Sequence, residues 1–264
     1  MTDTLAAAPL TRDATKNRWL SFADPAPRRG TNVFCFPFAG GGASFYRSFD
    51  RDRTRPAPHT FTLLPVQPPG REERLFEKSF ESMPEIVSAA ADALVPFLRA
   101  PYALFGHSMG GMIAYELIQE LRRRGAQLPM HLFVSGAPAP HVAAQIRAIY
   151  HLPEPELVDE IRRRYQGLPD EVLQSRELLD LLLPRLRADL AVTGTYVYRD
   201  SPPLSCPITA FGGDGDETVR PDMIEAWREH TVSTFRAEIF PGGHFFLTDS
   251  ASRILSIIGE AVRS

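Results

Sequence analysis

Tyr102-Ala103-Leu104-Phe105-Gly106-His107-Ser108-Met109-Gly110-Gly111-Met112-Ile113 carries a strand, a sharp turn and the start of a helix in one short run. Four apolar residues of strand length lead into G-x-S-x-G, and the following segment repeats its apolar positions Ile113, Leu117 and Leu121 at helical spacing. Glycines at 106 and 110 let the chain reverse within a few residues, which lifts Ser108 clear of the sheet edge with its hydroxyl exposed. The backbone N–H of Met109 falls at the helix N-terminus, where unsatisfied donors and the helix dipole favour a developing negative charge. The pentapeptide alone is a weak signal; its position between a strand and a helix makes it a strong one.

Outward from this turn, short apolar runs alternate with helix-length amphipathic segments. Strands are expected at 32–36 (NVFCF), 60–64 (TFTLL), 102–105, 131–134 (HLFV), 208–211 (ITAF) and 234–240 (TFRAEIF). Helices are expected at 84–98, with Ile86, Val87, Ala90, Ala91, Leu94 and Phe97 near one stripe, and at 109–123, 225–230 and 254–262. Apolar strands separated by helices predict an α/β fold, a mostly parallel central sheet with helices on both faces. From 140 to 203 no strand is predicted. Leu157, Ile161 and Tyr165 repeat at i, i+4, i+8, as do Leu178, Leu182, Leu186 and Leu190, with Pro184 expected to kink or split the second run. This insertion reads either as extra helical packing or, preferably, as a lid over the sheet's C-terminal edge, with a break at Gly167-Leu168-Pro169. Residues 1–18 read as a flexible arm that joins the body near Trp19, and 19–264 as a single domain.

Composition narrows the classes. The 264 residues are 44% hydrophobic and 23% charged with a net charge of −3, so one sizeable core is available and no basic field exists to hold nucleic acid or an anionic membrane. No run approaches a membrane span, and the N-terminus lacks the pattern of a secretory signal, so a cytoplasmic protein is expected. Cys35 and Cys206 form neither a disulfide framework nor a metal pair, and Cys35 reads as core.

A serine hydroxyl needs a base, and the base needs an orienting acceptor, which in this architecture follow in the order acid, then histidine. Of seven histidines, His244 alone sits late in the chain in a Pro-Gly-Gly-His loop after an apolar strand. His107 is expected to point away from its serine neighbour, and His230 reads as a cation near a helix C-terminus. The acid lies in the loop Gly212-Gly213-Asp214-Gly215-Asp216-Glu217; Asp216 fits best, with Asp214 the competitor and Glu217 third. For a second oxyanion donor, the loop Phe36-Pro37-Phe38-Ala39-Gly40-Gly41-Gly42 offers the N–H of Ala39 beside that of Met109. No Lys-Ser/Thr follows these glycines, which excludes a P-loop.

These residues resemble the type II thioesterases, the stand-alone editing hydrolases of polyketide synthase and non-ribosomal peptide synthetase systems within the α/β-hydrolase superfamily. The resemblance rests on Phe36-Pro37-Phe38-Ala39-Gly40-Gly41, on Gln67-Pro68-Pro69-Gly70-Arg71-Glu72-Glu73-Arg74, and on Phe105 to Gly111. It continues through Leu186-Arg187-Ala188-Asp189 and Phe240-Pro241-Gly242-Gly243-His244-Phe245. Phe38 departs from many relatives, which carry histidine there. The resemblance implies an α/β-hydrolase fold with a helical lid and a Ser108–His244–Asp216 triad. It also implies an acyl thioester on the phosphopantetheine arm of an acyl or peptidyl carrier protein as substrate, and no cofactor or metal. A monomer suffices for this chemistry.

Three alternatives stand beside it: a generic carboxylesterase or lipase, an acyltransferase using the same triad, and a non-catalytic binding protein on the same fold. Arg122, Arg123 and Arg124, and Arg162, Arg163 and Arg164, read as solvated helix faces or as a docking surface for an acidic carrier, the first being preferred. For Arg71 and Arg74 ion pairing with Glu72, Glu73 or a neighbouring loop is preferred to docking.

Overall fold

Each apolar run becomes a strand because a parallel sheet covered on both faces has no solvent side to alternate with. The computed structural model describes residues 17–20, 30–49, 61–165 and 174–263. Six strands form the sheet: β1 (Thr31–Phe36), β2 (Phe61–Pro65), β3 (Tyr102–His107), β4 (His131–Ser135), β5 (Ile208–Gly213) and β6 (Phe235–Phe240). Their order is β2-β1-β3-β4-β5-β6 and every pairing is parallel. Successive side chains go to opposite faces. Phe34, Phe36, Leu104, Leu132 and Val134 pack under α2 (Met83–Leu94) and α3 (Met109–Arg123), with Ile86, Ala90, Ile113 and Leu117 buried against them. Val33, Cys35, Ala103, Phe105 and Phe133 face α1 (Ala43–Phe49) and α8 (Ala251–Ala261), which contribute Tyr46, Phe49, Ile254 and Ile258. The order reverses between β1 and β3, so the crevice outside their carboxyl ends is the place where such a sheet binds ligands.

Between β4 and β5 lie α4 (Pro140–Ala143), α5 (Glu154–Tyr165) and α6 (Arg176–Gly194), with no strand among the described residues; α7 (Pro221–Glu225) follows β5. Leu157 and Ile161 of α5 meet Leu183 and Leu190 of α6 in a small core of their own. Helix α6 runs through Pro184 without splitting; the intrahelical bond that the proline removes would have gone to the carbonyl of the exposed Asp180. One expectation needs correction. The inward stripe shifts at that point: Leu178 and Leu182 are exposed, while Leu183, Ala188, Asp189 and Leu190 are buried. The Gly167-Leu168-Pro169 break, residue Thr60 and most of the arm at 1–18 lie outside the described residues. Trp19 is buried, and its carbonyl accepts the N–H of Gln67 at 2.8 Å. Among the described residues no helix is long and apolar enough to cross a membrane.

His230 is not a surface cation. It is buried, its Nδ1 lies 3.2 Å from the Tyr115 hydroxyl and its Nε2 2.9 Å from His141 Nδ1, and burial pushes its pKa down to about 4. His131, stacked on Phe133 with Nε2 at 2.9 Å from Thr209 Oγ1, is likewise held neutral by burial, with a pKa of about 4.

A histidine whose pKa is lower folded than unfolded takes up protons on unfolding. The stability it supports is complete above the unfolded pKa of about 6.5 and is lost as pH falls toward the folded value. The His131 shift, from 6.5 to about 4, corresponds to a loss of order 3 kcal/mol across that window. Urea denaturation at pH 7 and pH 4 is expected to show a smaller difference for His131→Gln than for the native chain. An unchanged difference would place the acid sensitivity elsewhere.

Candidate active site

Steric limits at the turn after β3 fix the first residue of the site. Ser108 sits at φ 53° and ψ −119°, a region that non-glycine residues rarely occupy. It is held there by its N–H, which donates to Ser135 O at 2.7 Å, and by its carbonyl, which accepts the N–H of Gly111 at 3.0 Å. A Cβ at Gly106 would lie 2.1 Å from Gly110 O, and one at Gly110 would lie 2.1 Å from Phe36 O. The two glycines of the motif are therefore demanded by backbone packed on backbone, and the close approach brings the end of β1 beside Ser108.

The loops after β5 and β6 lie on each other in the same way. A Cβ at Gly213 would be 2.5 Å from Gly242 O, and Gly215 N–H donates to that carbonyl at 2.9 Å. This contact brings His244 Nδ1 to 2.7 Å from Asp216 Oδ2. The other oxygen, Oδ1, accepts the N–H groups of Thr218 and Val219 at 2.9 and 3.0 Å, so the buried carboxylate is satisfied on both sides. Asp214 is exposed and accepts Gly242 N–H at 3.0 Å, which pins the histidine loop; Glu217 is exposed.

His107 does not turn away from the site. Its ring centroid is 5.1 Å from that of His244, its Nδ1 lies 3.0 Å from Ser135 Oγ, and its buried Nε2 has no hydrogen-bond partner among the described residues. Burial first, and the nearby His244 second, depress its pKa well below the ordinary value, so a neutral ring backs His244.

Ser108 and His244 line the same two cavities, with no direct hydrogen bond between their side chains among the described residues. One cavity, about 80 Å³, runs between Met109, Met112, Ile149, Tyr165, Leu190 and Tyr196. The other, about 600 Å³, opens past Phe38, Ala39, Arg71, Leu186 and Phe245. Phe38 packs edge-on against Phe45 and Phe245, with centroids at 5.1 and 4.9 Å. Among the described residues, neither the Ala39 nor the Met109 N–H has a protein acceptor. No three His, Cys, Asp or Glu side chains of the described residues group as a metal site.

A family model described as a thioesterase domain matches residues 31–262. The chain belongs to the thioesterase family. The gramicidin S biosynthesis protein GrsT of Aneurinibacillus migulanus is 37% identical over 247 residues, spanning 94% of each chain. The RedJ thioesterase from the prodiginine pathway of Streptomyces coelicolor is 39% identical with a TM-score of 0.80, covering 93% of this chain and 99% of that one. The type II thioesterase BorB from the borrelidin biosynthetic cluster is 36% identical with a TM-score of 0.77, covering 91% of this chain and 94% of that one. The present chain is similar to these proteins over nearly its whole length, and its sheet and helices form the α/β-hydrolase fold.

In this thioesterase the Gln67–Arg74 block (QPPGREER) is a bracket for the glycine loop after β1. Gln67 Oε1 accepts Ala43 N–H at 2.8 Å, and Glu72 Oε1 accepts Ser44 N–H at 3.0 Å and the Ser44 hydroxyl at 2.6 Å. A Cβ at Gly42 would fall 2.0 Å from Glu72 Oε1. Arg74 pairs with Glu77 as well as donating to Gln67 O. Among the described residues Arg71 forms no ion pair with Glu72 or Glu73; its guanidinium donates to Gly41 O of the glycine loop at 2.9 Å and meets Asp189 on α6 at 2.7 Å. Spacing cannot reveal that contact, which spans 118 positions; a lone charge inside the apolar run Ala188-Asp189-Leu190-Ala191-Val192 was its only signal. The arginine triplets are mostly satisfied within the chain. Arg122 donates to Pro202 and Pro203 carbonyls, Arg123 and Arg124 pair with Glu120, and Arg163 and Arg164 pair with Glu160.

Because Gly110 touches backbone on its open side, Gly110→Ala is expected to force β1 and α3 apart. Thioester hydrolysis should fall at least about 100-fold, as when an oxyanion donor is displaced. Steady-state kinetics alongside a thermal melt read this, and near-native activity would show that the turn relaxes freely.

Proposed function

We propose that this thioesterase hydrolyses acyl thioesters carried on the phosphopantetheine arm of acyl or peptidyl carrier proteins, removing aberrant or stalled acyl units in the cytoplasm. We assign Ser108 as nucleophile, His244 as base and acid, Asp216 as the orienting carboxylate, and the N–H groups of Ala39 and Met109 as oxyanion donors. The observation that carries this reading is the short Asp216–His244 contact at the wall of the cavities into which Ser108 opens.

The chemistry follows from that arrangement. His244 Nδ1–H donates to Asp216, which leaves Nε2 as the free acceptor. In the substrate complex the Ser108 hydroxyl turns onto Nε2, gives up its proton and attacks the thioester carbonyl. Negative charge then develops on an oxygen facing two N–H groups that have no competing acceptor among the described residues, one of them at the start of α3. His244 returns the proton to the pantetheine sulfur as the C–S bond breaks. A water molecule then gives its proton to Nε2 and its oxygen to the acyl-Ser108 ester; as the bond from the acyl carbon to Ser108 Oγ breaks, His244 returns that proton to Oγ and the carboxylic acid leaves.

The helices α4 to α6 act in this reading as the lid. The smaller cavity, roughly half of the ~150 Å³ that holds a benzene ring, suits an acyl chain of a few carbons. The larger one, open past Phe38 and Arg71, admits the arm.

The test presents one short acyl group on a carrier protein, as a small thioester and as a matched oxygen ester. Carrier-bound thioester should be hydrolysed fastest, and Ser108→Ala and Asp216→Asn should each lower kcat on the order of 10⁴-fold. Equal turnover of the oxygen ester would point to a generic esterase, and transfer of the acyl group to an amine or alcohol in preference to water would point to an acyltransferase.

A further inference from the structure

The glycine loop that carries the Ala39 N–H makes a β-turn, closed by Gly41 N–H donating to Phe38 O at 2.9 Å, with Gly40 at φ +77° in its third position. Turns of this kind exist in two forms related by a flip of the central peptide, here Ala39–Gly40, and only one of them needs positive φ at that residue. The form present is held from outside the loop. Asp189 of α6, buried to 2% exposure, accepts Gly40 N–H on Oδ2 at 2.7 Å and Arg71 Nη2 on Oδ1 at 2.7 Å. The same Arg71 donates Nη1 to Gly41 O at 2.9 Å and Nε to Pro69 O at 3.3 Å. Leu186, one turn before Asp189, lies so near Gly40 that a Cβ there would sit 3.3 Å from its Cδ1.

One carboxylate thus grips both the central Ala39–Gly40 peptide and the guanidinium that holds the Gly41 carbonyl. A buried ion pair is a poor source of net stability, since desolvation offsets its Coulombic gain. It does impose direction, and the direction imposed here is that of the loop beside Ser108.

We propose that Asp189 is a positioning residue for the oxyanion site, and that it ties the assembly of that site to the docking of α6. With α6 seated, the Asp189–Arg71 pair locks the turn and the Ala39 N–H is set beside that of Met109. With α6 displaced, Gly40 N–H and Arg71 lose their acceptor together, and the loop segment that carries the Ala39 N–H loses its anchors on both sides of Gly40. The site then stabilises a tetrahedral anion only when the insert is closed over the acyl group. The inference rests on the reading of Ala39 N–H as an oxyanion donor.

The test compares two pantetheine analogues in the full-length chain. An acyl trifluoromethyl ketone adds Ser108 to its carbonyl and presents the oxyanion, whereas the saturated thioether fills the same cavities without charge. In Asp189→Ala, kcat for thioester hydrolysis and affinity for the ketone should fall in parallel by about 100-fold, the scale of one lost oxyanion donor. KM and thioether affinity should stay within about threefold, since ground-state contacts are retained. Asp189→Asn with Arg71→Gln, a neutral pair whose amide oxygen at 189 can still accept Gly40 N–H and whose amide nitrogen at 71 can still donate to Gly41 O, the link between the two running in the opposite direction, should return kcat to within about tenfold of native. If the single variant does not fold, Asp189→Ala with Arg71→Met removes the stranded cation and should show the same selective loss of ketone binding. Retained ketone affinity in the folded alanine variants, or an equal loss of both analogues, overturns the proposal. A native chain that neither hydrolyses the thioester nor captures the ketone through Ser108 would overturn the underlying functional reading instead.

Discussion

The packing of backbone on backbone at the turn after β3 is the constraint from which the site follows. Gly110 lies against the carbonyl of Phe36, which also accepts the Tyr46 hydroxyl at 2.8 Å. No side chain can separate β1 from the start of α3 at that point. The end of β1, the residue before the helix and the first free N–H of the helix are therefore brought together by one contact. Strain at Ser108 is the cost of that approach, and it is sustained because β1, β3 and β4 all hold the turn.

Two loops complete the arrangement by the same physics. The acid and histidine loops lie close through Gly213 and Gly242, and the buried Asp216 carboxylate finds three donors where an unpaired charge would be costly to bury. The glycine loop after β1 is braced from below by Gln67 and Glu72 and from above by Asp189 through Arg71. Each brace supplies a polar partner to backbone groups that helix and sheet leave unpaired. The block at 67–74 thereby acquires a physical reason: its charged and amide side chains substitute for the regular hydrogen bonds that a glycine-rich turn lacks.

The sheet and the turn were legible in the sequence because their signals are local. Apolar runs of strand length and the helical spacing of Ile113, Leu117 and Leu121 depend only on near neighbours. Of the three carboxylates weighed in the loop after β5, Asp216 alone is enclosed. What the sequence hid is either tertiary or a matter of degree. His107 faces His244 because Ser135 and the aromatic rings of Phe38 and Phe245 leave it no other place. The Asp189–Arg71 pair joins an insert helix to a loop more than a hundred residues earlier, a contact that no periodicity encodes. The leucine stripe of α6 changes face near Pro184, so a strict four-residue repeat placed Leu178 and Leu182 inside when they lie outside.

The most direct test of the central claim, that Ser108 carries the acyl group between thioester and water, is to trap that ester. Acid quenching of a short-acyl pantetheine thioester reaction within its first turnovers, followed by peptide mass spectrometry, should find the acyl mass on Ser108. The adduct should be absent from Ser108→Ala and should form far more slowly in His244→Ala, where no base takes the serine proton. Steady hydrolysis by Ser108→Ala, or an acyl adduct on a different residue of the native chain, would contradict the account.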